Sequence, residues 1–492
     1  MSEGIIISLE KMNKILEIDV ERKVARIEPG VVVHELCKAL APHGLACGTL
    51  GTIDWQTMVG AVMTGTHGGS LTTPSMHSFM ESYTLVKANG EIIKVSRDSD
   101  PTLFSAMAPS MGVFGVVVEA EVRCVPLVYL EASMIAMPFE ELIPKFKDIM
   151  RSNKYARVVV YPSIGQATVW TAKPVARGEA VARGATKADE YVNFRNEEEK
   201  AWLEEFLKLS QEGLYKEADE TLDKVRKSQL VRLKHYEGQY NHVLCKERNN
   251  GIPHADCEFA FDFEKAEEIL TLVKKHQESN RIPYYNYEIR TTRADDAMIS
   301  CCYQRDTMYI DFQAKASVSK KFFNTLSDLF APFDYRKHWA KGLNHTHPDY
   351  LVEQLPMLGE FIDLMEKLDP EGKFRNSHAQ SWFTRTREAS KRLSERSTGY
   401  TSPMASPVAN NRKLSSPIAS KRRLLSNLAT TGAGPREKGS LVKSRPSSTK
   451  EPERGSEVCA GLAAIKVRTY LTILTACLTG ESFGFYLFFM AF

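Results

Sequence analysis

The sequence predicts an α+β chain: a first domain of short strands and helices, a second domain built on an antiparallel sheet with helices on one face, and an unstructured tail. Three observations predict it. Up to Pro126, β-rich runs alternate with helix-spaced segments. From Tyr129, strands surround amphipathic helices, and no Gly-rich turn of the dinucleotide-binding kind interrupts them. After Trp382 the composition shifts to Ser, Thr, Pro, Ala, Arg and Lys without periodicity. The expected divisions are 1–127, 128–383, a basic disordered linker over 384–457, and a hydrophobic segment over 458–492.

The first domain opens on Ile5-Ile6-Ile7 and on Val24 to Ile27, both short β-rich runs, with a turn at Glu28-Pro29-Gly30. Val33, Leu36 and Leu40 recur at helical spacing, predicting a helix from Val33 towards Leu45. Residues Glu81 to Val95 read as two strands about Asn89-Gly90, a strong hairpin signal. A short helix covers Leu103 to Met107, and an alternating strand runs from Val116 to Val125. In the second domain, strands are expected at Ala132 to Ala136, Val158 to Tyr161, Ala167 to Thr171, Cys257 to Phe263, Tyr284 to Arg290 and Met308 to Gln313. Helices are expected at Phe139 to Met150, Phe263 to Lys275 and Lys320 to Phe330, and a charged block of two helices at Lys187 to Tyr240.

Of the 492 residues, 43% are hydrophobic and 25% charged, and the net charge is +3. That is ordinary globular composition, with chain enough for large cores. Basic residues dominate Thr384 to Glu457, so the body before them is acidic overall. A nucleic-acid enzyme more often carries its basic surface on the folded part, so no nucleic-acid partner is expected. The nine cysteines show no CxxC pair and no Cys/His metal spacing. They read as buried, reduced thiols, and no metal is expected. MSEGIIISLEKMNK lacks the apolar stretch of a signal peptide.

The chemistry concentrates in Thr52 to Ser70, TIDWQTMVGAVMTGTHGGS. An apolar run that closes on Thr64-Gly65-Thr66-His67-Gly68-Gly69 brings backbone N–H groups close to a flat or anionic ligand, because glycine has no Cβ. Taken alone, a Gly-rich turn after a buried helix explains it equally well. Farther on, Glu288 and Arg290 alternate along a strand and so share a face. A surface ion pair is the bland explanation.

These segments carry a resemblance. GAVMTGTHGGS together with MGVFGVVVEAEVRCVP resembles the FAD-linked oxidases of the vanillyl-alcohol-oxidase type. Within them, YEIRTTRADD, YQRDTMYIDF, RKHWAKGLNH and LDPEGKFRN are similar to the sugar-1,4-lactone oxidases, the group of L-gulonolactone, L-galactonolactone and D-arabinonolactone oxidases and the related alditol oxidases. The motifs span most of Gly4 to Trp382. The resemblance implies a two-domain flavin oxidase with FAD as cofactor and hydride transfer to the flavin. It implies cofactor contacts at Thr52, Thr57, Gly60, Thr64, Gly65, Thr66, His67, Gly68, Gly115 and Val117. It places Glu288, Arg290 and Lys341 on the substrate side, the cations Arg290 and Lys341 lowering the pKa of a substrate hydroxyl and Glu288 balancing Arg290. Of the remaining polar residues, Trp339 reads as core packing, and His345, His347 and His378 stay unassigned.

The substrate so implied is a sugar-1,4-lactone of the gulono, galactono or arabinono kind, oxidised in the last step towards ascorbate or its five-carbon analogue, with oxygen or another acceptor taking the electrons. An alditol is the alternative substrate. The family's flavin domain begins some tens of residues earlier, so the chain reads as an N-terminally truncated form, and no residue is assigned a covalent flavin bond. A truncated member could instead be a non-catalytic, membrane-tethered interaction protein. The apolar run Thr469 to Phe492 follows Lys466 and Arg468, which suggests membrane contact with the body facing the cytosol; Glu481 interrupts the run. Without that contact a cytoplasmic location is expected.

Overall fold

The computed structural model describes residues 7–188, 195–245, 252–342, 348–376, 379 and 382–389. Two sheets organise these residues. The first is six-stranded and uses β1 (Ile15–Asp19), β2 (Val24–Ile27), β3 (Leu45–Cys47), β4 (Met80–Val86), β5 (Ile92–Ser96) and β6 (Val116–Pro126). Its order is β1-β2-β6-β4-β5, with β3 also paired to β6. The hairpin signal at Asn89-Gly90 holds: β4 and β5 pair antiparallel from Ser82↔Ser96 to Val86↔Ile92, and Gly90 sits at φ +85°. The helix Val33–Leu40 buries Val33, Leu36, Cys37 and Leu40, the face its spacing marks, and ends before Pro42 rather than reaching Leu45. The first strand begins at Ile15, not at Ile5-Ile6-Ile7: Ile7 lies outside any strand, and Ile5 and Ile6 lie outside the described residues.

The second sheet is nine-stranded. It comprises β7 (Tyr129–Pro138), β8 (Tyr155–Tyr161), β9 (Gln166–Val175), β10 (Thr186–Ala188), β11 (His235–Gln239), β12 (Ala255–Asp262), β13 (Tyr287–Thr292), β14 (Thr307–Ala314) and β15 (Arg336–Lys337). Its order is β10-β11-β7-β9-β8-β13-β14-β12-β15, and every pairing is antiparallel except β10 with β11. The expected α+β class, an antiparallel sheet with helices, is therefore what the chain forms. The block read as helical over Lys187 to Tyr240 does hold two helices, Glu197–Gln211 and Tyr215–Arg232. Its ends are strands instead, β10 and β11, three and five residues long. Strands that short carry too few alternations to read.

Alternation gives the second sheet two unlike faces. Cys257, Phe259 and Phe261 of β12, Ile310 and Phe312 of β14, Tyr287 and Ile289 of β13, and Val158 and Val160 of β8 form one buried apolar face. Residues from the helices Phe146–Ser152, Ala266–Ser279 and Ala316–Phe330 cover it. The opposite face carries Glu258, Asp311, Glu288, Arg290 and Arg157. The Gly-rich segment crosses that sheet: Ser70 N–H donates to Thr291 O at 2.7 Å, and Ala156 N–H donates to Gly69 O at 3.0 Å.

The segment after Phe330, expected in the second domain without assigned elements beyond that point, carries helices after β15. It forms the helices Pro348–Gln354 and Leu358–Leu368 and a further helix over 382–389. Leu358, Phe361, Ile362 and Met365 pack into the core of the first sheet, with Phe361 against Phe114 at 4.9 Å. Phe383 and Ala389 are buried, so the folded body runs past the expected linker start at Thr384. Residues 390–492, including the expected linker and apolar run, lie outside the described residues, and no described helix is long and apolar enough to cross a membrane. The seven described cysteines are free and buried.

Candidate active site

Strand β13 puts Glu288 and Arg290 on one face, as their spacing predicts. Its register with β14 sets Asp311 opposite Glu288, and the register of β14 with β12 sets Glu258 opposite Asp311. Carboxylates thus stand in a row across three neighbouring strands. Like charges placed directly opposite destabilise a sheet, and Glu258 is fully buried. Two cations balance the row. Arg290 Nη2 lies 3.0 Å from Glu258 Oε1 and its Nε 3.1 Å from Glu288 Oε1. Lys341 Nζ lies 3.1 Å from Glu258 Oε2 and 2.6 Å from Asp311 Oδ2.

Lys341 reaches this row from a turn fixed to the sheet. His338 N–H donates to Glu258 O at 3.1 Å, and Lys341 N–H donates to His338 O at 3.0 Å. Gly342 follows at φ +62°, where a Cβ would come within 2.9 Å of Asp256 O, so glycine is what lets the turn lie on β12. Trp339 is buried and donates its indole N–H to Ile299 O at 2.6 Å, consistent with core packing.

His67 enters from the other side. Its Nε2 lies 3.2 Å from Glu258 Oε1, its ring stacks on Tyr309 at 3.7 Å, and its carbonyl accepts from Arg290 Nη1 at 3.2 Å. Burial and the nearby Arg290 charge push His67 below its ordinary pKa, against the pull of Glu258. The His67 Nδ1 lies 3.0 Å from Gly68 O, so each ring nitrogen faces an acceptor. His338 is pushed down to about 3, mainly by burial, and its Nδ1 accepts the Ala340 N–H at 3.1 Å.

The carboxylates do not share one protonation state. Burial works against the Glu258 charge, but Lys341, His67 and Arg290 outweigh it and hold Glu258 well below the usual carboxylate range. Asp256 is held down by His254, 2.8 Å away, despite its burial. Among the described residues, Asp311 has one ion-pair partner, Lys341, which it shares with Glu258. Burial, with Glu258 and Asp256 nearby, pushes it up to about 7 although Lys341 pulls it down. Its Oδ1 is buried without a hydrogen-bond partner. Burial opposes the charge on Lys341, yet Asp311 and Glu258 keep it above the ordinary lysine value.

The expected cofactor residues divide into those that remain available and those engaged by the fold. Thr57 caps the helix Met58–Met63, its Oγ1 accepting from Gly60 N–H at 3.2 Å. Thr64 turns its hydroxyl back to Gly60 O at 3.1 Å, and the N–H groups of Gly65 and Thr66 return to Val62 O and Ala61 O. The Thr64 hydroxyl is thus engaged in closing the helix. Val117 is buried in the first core and pairs with Leu85, so its side chain belongs to packing. Gly115, at φ +146°, lies against the Val86 carbonyl, and Gly68 lies so close to Thr49 that a Cβ would sit 2.6 Å from its Oγ1. Both glycines are required first by protein contacts. Thr52, Gly60, Gly65 and Thr66 are half-buried.

Among the described residues, the N–H groups of His67, Gly68 and Gly69 make no hydrogen bond. His67 and Gly68 are themselves buried. Buried donors without partners are rare in folded chains. These two, followed by the donor of half-buried Gly69 beside a polar sheet face, could hold a ligand with acceptors along one edge. His67, Glu258 and His338 also bring one possible metal-ligand atom each within 4.8 Å of one another. Both oxygens of Glu258 already face cations, so the cluster is an ion-pair centre. The sequence marks Glu288, Arg290 and Lys341 as substrate-side residues and His67 as a cofactor contact; it does not mark Glu258, at the centre of the cluster, or Asp311. The available signal was an acidic residue inside an apolar strand, in ADCEFAFD and TMYIDFQA.

Residues 120–385 match the family described as D-arabinono-1,4-lactone oxidase, and residues 1–96 match an FAD binding domain. The chain is similar to L-gulonolactone oxidase of Mus musculus, 26% identical over 403 residues, which cover 78% of this chain and 86% of that protein. It is 34% identical over 146 residues to D-arabinono-1,4-lactone oxidase of Yarrowia lipolytica, covering 30% of this chain and 28% of that one. Among solved structures, a solvent-stable cholesterol oxidase matches with a TM-score of 0.65 at 16% identity, over 76% of this chain and 84% of that one. At that identity the likeness shows the fold.

Proposed function

Because the chain belongs to the D-arabinono-1,4-lactone oxidase family, we propose that the polar sheet face beside His67 to Gly69 is its sugar-lactone site, with Arg290 and Lys341 meeting the reacting hydroxyl. The protein is an FAD-dependent oxidoreductase of sugar-1,4-lactones. The names of its relatives fit a reaction of the ascorbate-forming kind. The observation that carries the site is the convergence of Arg290, Lys341 and His67 on the buried Glu258.

The N–H groups of His67, Gly68 and Gly69 would hold the flavin ring, and Gly60, Gly65 and Thr66 border the same segment. When bound, FAD supplies the two-electron acceptor for the hydride of the carbinol carbon. The remaining work falls to the chain. Oxidising a carbinol to a carbonyl also releases the hydroxyl proton. Asp311 Oδ1, unpartnered and titrating at about 7, takes that proton at neutral pH. Arg290 and Lys341 stabilise the negative charge that grows on the oxygen. Glu258 holds both cations and His67 in place, and Glu288 fixes the Arg290 guanidinium at its Nε. The electron acceptor that reoxidises the flavin is oxygen or another oxidant.

The test is steady-state. FAD-loaded protein should reduce a dye or oxygen in the presence of L-gulono-, L-galactono- or D-arabinono-1,4-lactone, and far more slowly with an alditol. Flavin-loaded protein that turns over only the alditol would replace the lactone reading.

A further inference from the structure

The polar face of the second sheet continues beyond Glu288. Glu288 also lines a cavity of about 50 Å³, as does Gln313, the next residue on that face of β14 after Asp311. Leu203 of the helix Glu197–Gln211 and Val225 and Gln229 of the helix Tyr215–Arg232 close it from above. One water needs about 10–15 Å³ of such space, so the cavity has room for a hydroxyl-bearing carbon or two.

Its lining has a definite chemistry. Asn286, Gln229, Gln313, Tyr161 and Tyr285 supply neutral hydrogen-bonding groups, and Trp170 supplies an aromatic wall. Two arginines belong to the wall, Arg157 over Trp170 at 4.9 Å and Arg195 over Tyr285 at 5.2 Å, and both feel the Glu288 carboxylate. Tyr161 already donates to Gln229 Oε1 at 2.8 Å. Among the described residues, Asn286 Oδ1 and Tyr285 Oη are buried with no hydrogen-bond partner. Buried polar groups are ordinarily satisfied, and two orphans on one small cavity call for a hydroxylated guest. A lining of amides, phenols and indole, with two arginines and a carboxylate, suits a hydroxyl-rich guest better than an apolar tail.

A 1,4-lactone presents such a group. Its ring takes four carbons, leaving two exocyclic hydroxyl-bearing carbons in a six-carbon lactone and one in a five-carbon lactone. Resting on the lactone reading above, we infer that this cavity is the subsite for the exocyclic tail, and that Asn286 and Tyr285 set the preference between six-carbon and five-carbon lactones. The position fits, because the cavity starts at the Glu288 end of the charged row.

The experiment compares kcat/KM of the FAD-loaded full chain for L-gulono-1,4-lactone and D-arabinono-1,4-lactone in the wild type, Asn286→Ala and Tyr285→Phe. Each substitution should lower kcat/KM for the six-carbon lactone about five- to tenfold, through KM, the size of one lost neutral hydrogen bond. The five-carbon lactone should change by less than about twofold. Tyr285→Phe keeps the ring that Arg195 covers at 5.2 Å, and so serves if Asn286→Ala lowers stability. An active wild type whose lactone ratio is unchanged in both variants overturns the subsite alone. A flavin-loaded wild type that oxidises neither lactone overturns the lactone reading and the subsite with it.

Discussion

Glu258→Gln removes one negative charge and keeps the shape of the side chain. Glu258 and Asp311 are paired across β12 and β14, a geometry that puts side chains about 5 Å apart. Two like charges at that distance repel by about 3 kcal/mol at an effective dielectric constant near 20. One pH unit corresponds to about 1.4 kcal/mol, so Glu258 raises the Asp311 pKa by about two. The sign is fixed: with the neighbouring charge gone, Asp311 ionises more easily, so its pKa falls from about 7 towards about 5. If Asp311 is the proton acceptor, kcat/KM rises with pH through that pKa. The acid limb of the pH profile should therefore move down by about two pH units in Glu258→Gln. The same variant leaves Arg290 and Lys341 with less compensation, and breaking a buried ion pair costs about 3–5 kcal/mol. It should melt well below the wild type in a denaturant or thermal series. The assay is lactone-dependent dye reduction from pH 5 to 9, with flavin content checked at each pH. An acid limb that stays near pH 7, or moves upward, would refute both the proton acceptor and the pairing that sets its pKa.

Four further substitutions, one of them a control, separate the roles. Asp311→Asn should abolish the acid limb and lower kcat by about 10²-fold or more. It should also flatten one component of stability against pH: a carboxyl raised from an unfolded value of about 3.9 stabilises the fold below that pH and loses its contribution as pH rises through about 7. Lys341→Met should cut turnover by about 10²–10³-fold while the protein keeps its FAD, read as absorbance after gel filtration, and unchanged turnover would remove Lys341 from the site. Gly115→Ala should lower the melting temperature by the equivalent of about 1–3 kcal/mol, because φ +146° is strained for alanine and its Cβ meets the Val86 carbonyl. Gly44→Ala, at φ +69° with nothing within 4 Å, is the control and should cost only about 1–2 kcal/mol.

What the sequence shows of this site follows the distance over which each signal acts. The shared face of Glu288 and Arg290 is local, set by alternation along a single strand, and the structure keeps it. Lys341 is legible because its motif is contiguous. Glu258 and Asp311 are harder, since the order β13-β14-β12 brings together residues far apart in the chain. A single sequence gives no pairing register. The Gly-rich segment is legible as a place of close backbone approach. Its neighbours are not: Gly68 faces Thr49, and Gly69 faces the Ala156 carbonyl at 2.9 Å from a would-be Cβ. The helix Leu358–Leu368 carries a plain helical pattern, yet its packing against Phe114 of the first domain joins distant parts of the chain.

The most direct measurement is the reductive half-reaction. FAD-loaded wild type and Lys341→Met, each at matched flavin content, are mixed without oxygen with L-gulono-, L-galactono- or D-arabinono-1,4-lactone, and the flavin absorbance is followed. Rapid bleaching of the wild type by at least one lactone, slowed about 10²-fold or more in Lys341→Met, is the expected result. A wild-type flavin whose absorbance none of the three lactones changes would contradict lactone oxidation at the Glu258–Arg290–Lys341 centre.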